Sequence, residues 1–137
     1  MGDELVVDIL RIIYFFVLMG LIVFVLAQGK VVPYDDSDTL AKMYSLRFFH
    51  EFEHQNVLQT QRITEPALKN TVGDVILRLR IIEGERIETY YINEQRFTNF
   101  FPMTATSSAY TASTVQRTYY LENGQKQEVV LTYVFAS

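Results

Sequence analysis

The chain has 137 residues, 49% of them hydrophobic, with 16 acidic against 12 basic residues and no cysteine. That length supports one modest domain with a small core, and without cysteine there is neither a disulfide to hold it together nor a thiol nucleophile. The acidic excess is slight and spread out; no basic stripe points to nucleic acid and no polybasic flank marks recognition of anionic lipid headgroups.

From Ile12 to Ala27 the chain reads IIYFFVLMGLIVFVLA, without a charge. A helix of that length rises about 24 Å, a little short of a ~30 Å hydrocarbon core. Gln28 and Gly29, with Arg11 and Lys30 reaching outward along their aliphatic stems, close the gap. No polar stripe recurs at helical spacing, as it would on a soluble core helix. Backbone polar groups in lipid must be satisfied internally, so a spanning segment is helical. The expectation is a short tail over 1–11 and a transmembrane helix over 12–29. Ile12, Phe15, Phe16, Leu18, Leu21, Phe24 and Leu26 form its membrane anchor.

Three fates are open to this segment. It can stay as an uncleaved single-span anchor, which is preferred. It can be a secretory signal cut after Val25-Leu26-Ala27, leaving Gln28 first, although Asp3, Glu4 and Asp8 make an unusually acidic start. It can also be a pilin-type helix, kept after a short leader ending at Gly2 is trimmed; an acidic residue before a long apolar helix is similar to pilin N-termini, but the usual basic residue before the cut is missing. Arg11 on one side against Lys30 on the other gives the positive-inside rule little to weigh. A Thr/Ser-rich and Tyr-rich surface favours placing the domain outside the cytoplasm.

Residues 30–38 read as a juxtamembrane linker in which Pro33 bars helix continuation. Asp35, Asp36 and Asp38 fit a helix N-terminus, with Asp or Ser capping and negative charge complementing the dipole, better than a cation site. Residues 39–137 then form the soluble domain. Thr39 to Leu46 opens as a helix. From Tyr44 a period of two places Tyr44, Leu46, Phe48, His50 and Phe52 on one face, which reads as a half-buried strand. A helical alternative groups Ala41, Tyr44, Phe48 and Phe52.

Further strands run from Val75 to Ile82 and from Arg86 to Asn93 around Glu83-Gly84-Glu85. Arg96 to Phe101 ends in an aromatic cluster expected to plug the core from a loop. Thr104 to Thr114 is a charge-free polar tract suited to an exposed loop or edge strand. Val115 to Glu122 and Gln127 to Phe135 flank Asn123-Gly124, which suits a type I′ hairpin. The fold expected is mainly β: one N-terminal transmembrane helix, then a small antiparallel β-sheet or sandwich with one short soluble helix.

His50-Glu51-Phe52-Glu53-His54 matches H-E-x-x-H and so resembles the zinc metalloprotease signature. The resemblance implies His50 and His54 as zinc ligands from one helical face and Glu51 as general base on the metal-bound water. The match covers five residues. Its surroundings alternate with period two, and on a strand the two histidines lie about 13 Å apart at ~3.3 Å per residue. Glu53 and Asn56 stand where zincins carry uncharged and apolar residues. A third ligand would have to be a carboxylate such as Glu65, Glu83 or Glu88. The expectation is therefore no cofactor and no enzymatic activity, with zinc only if this motif is real. No other catalytic constellation is present.

Tyrosines at 90, 91, 119, 120 and 133 fall on strands, with one ring of each adjacent pair inward and one outward. Outward rings can form a platform or stabilise cross-strand pairs. The last strand is apolar on both faces, so it belongs mid-sheet or under a partner. Tyr90, Tyr110, Tyr120, Val129 and Leu131 are the candidate interaction surface. In layout the chain resembles pilin-like and pseudopilin-like subunits and archaellum stator proteins, with one N-terminal apolar helix before a compact β domain. That resemblance implies a non-enzymatic component of a cell-surface or envelope assembly. Its partners would be the membrane and other membrane or surface proteins, copies of itself among them. A peptidase built on the zinc motif and a secreted binding domain released after Ala27 are the alternatives.

Overall fold

A computed structural model describes residues 2–28 and 36–136. The described residues fall into two compact units, one holding the first helix and the other residues 36–136. The first helix, α1 (Gly2–Gln28), extends back through the acidic tail, placing Asp3 and Glu4 in its first turn, where negative charge complements the helix dipole. It has 27 residues, is long and apolar enough to cross a membrane, and buries none of them. Most of the linker, including Pro33 and Asp35, lies outside the described residues.

In the second unit, helix α2 (Ser37–Phe52) is followed by β1 (Glu53–His54), β2 (Val57–Leu58), α3 (Glu65–Val72), β3 (Ile76–Glu83) and β4 (Arg86–Ile92). Then come α4 (Glu94–Phe100), β5 (Tyr110–Tyr120) and β6 (Lys126–Ala136). Strands β3 to β6 form one antiparallel sheet in the order β4-β3-β6-β5, and β1-β2 is a separate two-stranded ribbon. The expected antiparallel sheet is present; among the described residues the second sheet is only the two-stranded β1-β2 ribbon. The chain is not mainly β: its described residues, α1 included, are 51% helical and 32% strand. Where one short soluble helix was expected, the described residues hold three, α2, α3 and α4.

The chief reason is α2. Its buried residues are Ser37, Ala41, Ser45, Phe48, Phe49 and Phe52, a helical stripe. A strand face would have buried Leu46 and His50 with Phe48, yet both are exposed. The Tyr44–Phe52 strand reading is thus replaced by the helical grouping around Ala41, Tyr44, Phe48 and Phe52. Helix α2 starts at the acidic cluster as expected, with Asp38 in the first turn; Asp36 stands at the N-cap without a side-chain capping bond. Helix α3 went unforeseen although its start is conventional: Thr64 accepts from the Ala67 amide at 3.2 Å, and Pro66 follows in the first turn. The aromatic plug at Arg96–Phe101 is not a loop but α4 and its end.

One face of the sheet carries Leu77, Leu79, Ile81, Val129, Leu131 and Tyr133 into a core closed by Phe48 and Phe52 of α2 and Leu68 and Val72 of α3. Inside it, Ser45 and Tyr133 hydroxyls bond at 3.0 Å. On the opposite face, α4 sets Phe97 beside Tyr91 and over Arg78, whose guanidinium lies 4.9 Å and 5.1 Å from the Phe97 and Phe101 ring centres.

Turn chemistry departs from expectation in an orderly way. Gly84 (φ 58) takes the first central position of the β3–β4 hairpin, as a II′ turn requires. Between β5 and β6, only Gly124 (φ 77) has positive φ, and Leu121 bonds both Gly124 and Gln125. This is a type I turn closed by a left-handed glycine, not the expected type I′ Asn123-Gly124 turn. The two successive positive φ values of a I′ turn occur instead at Gln55 (52) and Asn56 (61), between β1 and β2.

Candidate functional site

The H-E-x-x-H segment straddles a change of structure. His50 and Glu51 lie in the last turn of α2, whereas His54 is in β1, beyond the helix end and next to the Gln55-Asn56 turn. The shared helical face that zinc binding demands at i and i+4 is therefore broken. Glu51 is held by Arg62, whose guanidinium meets its carboxylate at 3.0 Å. Among the described residues no group of three or more His, Cys, Asp or Glu is placed to hold a metal. His50, Glu51, Glu53, His54, Gln59 and Arg62 line an open dip.

The better-built feature here is Glu53, which sequence reasoning noted only as a misfit in the zinc pattern. Its Oε2 accepts from Arg117 Nη1 at 2.7 Å and from the Tyr119 hydroxyl. The Arg117 guanidinium also stacks 3.9 Å from the centre of the Phe49 ring. Tyr119's hydrogen bond, followed by Arg117's hydrogen bond and charge, holds the Glu53 carboxyl below its ordinary value of 4.5 despite partial burial. Burial, then the bond to Glu53, pushes the Tyr119 phenol up. The cluster ties the end of α2 to β5, as Asp38 ties its start by accepting from Ser113 at 2.5 Å. Partners 64 and 66 residues apart leave no local sequence signal.

The predicted interaction surface divides. Val129 and Leu131 have no exposed area and sit in the core, because β6 runs between β3 and β5. Their both-sided apolarity marks a central strand, and they are removed from the surface. Tyr90 is half-buried against the core and donates to Glu88. Tyr110 is half-buried, stacked on Phe100 at 4.6 Å. Tyr120 alone stands fully outward, 76% exposed, opposite in direction to buried Tyr119. The anchor residues Ile12, Phe15, Phe16, Leu18, Leu21, Phe24 and Leu26 are all exposed on α1. The Thr104–Thr114 tract passes through a short 3₁₀ turn (Pro102–Ala105) and a loop into β5, which is an edge strand.

No protein-family model, curated protein or solved structure matches this chain.

Proposed function

We propose that this protein is a non-enzymatic, single-span membrane-anchored domain. It serves as a structural or interaction component of a cell-surface or envelope assembly, in the manner of pilin-like or stator-like subunits. The observation that supports this most is α1: a 27-residue helix without a charge from Ile12 to Ala27, ahead of a separately folded unit. The domain has a core of its own and does not need α1's apolar surface to complete it. The segment carrying the zinc motif is divided between helix and ribbon, which favours a structural role for it.

The test is fractionation of cells expressing the full chain, followed by sizing in mild detergent. The protein should stay in the membrane through an alkaline carbonate wash and migrate well above its own 16.0 kDa. Release by the wash, or zinc-dependent peptide hydrolysis lost in His54→Ala, would overturn the reading.

A further inference from the structure

We propose that the domain pairs with a second copy of this chain along the outer edge of β5, extending the sheet across a two-fold axis near Val115. This rests on the anchored-component reading above and names its partner.

Natural sheets blunt their edges with short strands, charge, proline or bulges. Edge strand β4 follows that rule, with seven residues including Arg86 and Glu88. β5 does not. It has 11 residues, no proline or glycine, and pairs with β6 one-for-one from Tyr110 to Tyr120 without a bulge. Its one charge, Arg117, is turned to the core side and held by Glu53. Among the described residues no strand pairs with its other edge.

Part of the domain's apolar exposure lies at this edge. Of its six exposed large apolar side chains, the two most exposed are Tyr120 at 76% and Leu46 at 64%. Asp38 and Phe49, on one side of α2, reach Ser113 and Arg117 of β5. Leu46 lies on that same side, eight residues past Asp38 and three before Phe49. At about 1.5 Å per helical and 3.4 Å per strand residue, it sits level with Val115 and Gln116.

A second β5, antiparallel about Val115, is self-complementary. Tyr110 falls opposite the copy's Tyr120, and Thr114 opposite its Gln116. Leu46 meets Leu46 across the axis. Ser113, with Asp38 bonded to it, faces the copy's Arg117, which keeps its own bond to Glu53, so an acidic and a basic group meet twice across the axis. Pairing in plane keeps the α2–α3 layers of both copies on one side of the continuous sheet.

The chain's lack of cysteine makes the register testable in the full-length protein in its membrane. Thr114→Cys and Gln116→Cys, both at exposed positions, are co-expressed and mildly oxidised. Opposite Cβ atoms lie within disulfide reach, whereas neighbours two residues off register do not. Up to about half of the co-expressed chains, the share that random pairing puts in mixed dimers, should become disulfide-linked, while Ile87→Cys with Thr89→Cys on the β4 edge stays uncross-linked. Leu46→Asp should reduce the cross-link at least tenfold, and Leu46→Lys should repeat that loss if the first variant fails to fold. Absence of the 114–116 cross-link, equal cross-linking at β4, or indifference to charge at position 46 would overturn the pairing. An alkaline wash of the same membranes reports anchoring separately, so either claim can fail without the other.

Discussion

Replacing Ser45 with alanine strips the Tyr133 phenol of its partner deep in the domain. Tyr133 has no exposed area, and its hydroxyl meets Ser45 Oγ at 3.0 Å. A buried polar group left unsatisfied costs about 1–3 kcal/mol. For a domain near 100 residues, that is a fall in Tm of roughly 4–8 °C per kcal/mol. Tyr133→Phe should cost less, about 0.5–1.5 kcal/mol, since a lone helical serine can turn its hydroxyl back to a carbonyl one turn earlier. The double variant should lie within about 0.5 kcal/mol of Tyr133→Phe, because no orphaned phenol remains. Unfolding of the full chain by urea in detergent gives the four stabilities of this cycle. With no tryptophan present, near-ultraviolet dichroism of tyrosine is the signal. A Ser45→Ala variant as stable as the parent, or strictly additive losses, would refute the seating of α2 over β6.

Thr64→Ala removes the α3 cap and should destabilise the domain by about 1 kcal/mol in the same titration. Gln55→Asn with Asn56→Gly relieves two left-handed side-chain-bearing residues and should raise stability by roughly 1 kcal/mol, since Asn-Gly is the preferred I′ pair. Burial pushes the Tyr133 phenol from its ordinary 10.0 up to about 12. The unfolded chain therefore ionises first, so stability should hold below pH 10 and fall as pH climbs from 10 towards 12; Tyr133→Phe should flatten that decline.

Strands β3 to β6 were legible because period-two alternation and glycine turns are local signals. The α2 error shows the limit of periodicity. Tyr44, Phe48 and Phe52 satisfy a strand face and a helix face alike, and only the exposure of Leu46 and His50 separates the two. α3 was readable from Thr64-Glu65-Pro66, a cap followed by proline in the first turn. Val129 and Leu131 carried the right apolarity but the wrong destination, since a strand apolar on both faces fits a sheet centre as well as a contact surface. The Glu53–Arg117–Tyr119 cluster was beyond reach: its members meet only after α2 has been laid along β5. In the H-E-x-x-H segment, five matching residues said nothing about the helix end at Phe52, on which zinc geometry depends.

The most direct test of membrane anchoring is the intact mass of the protein recovered from carbonate-washed membranes of its own cells. The account predicts a chain that still contains α1, from Gly2 through Gln28. A chain beginning at Gln28 in the wash or the medium, with none left in the washed membranes, would contradict it.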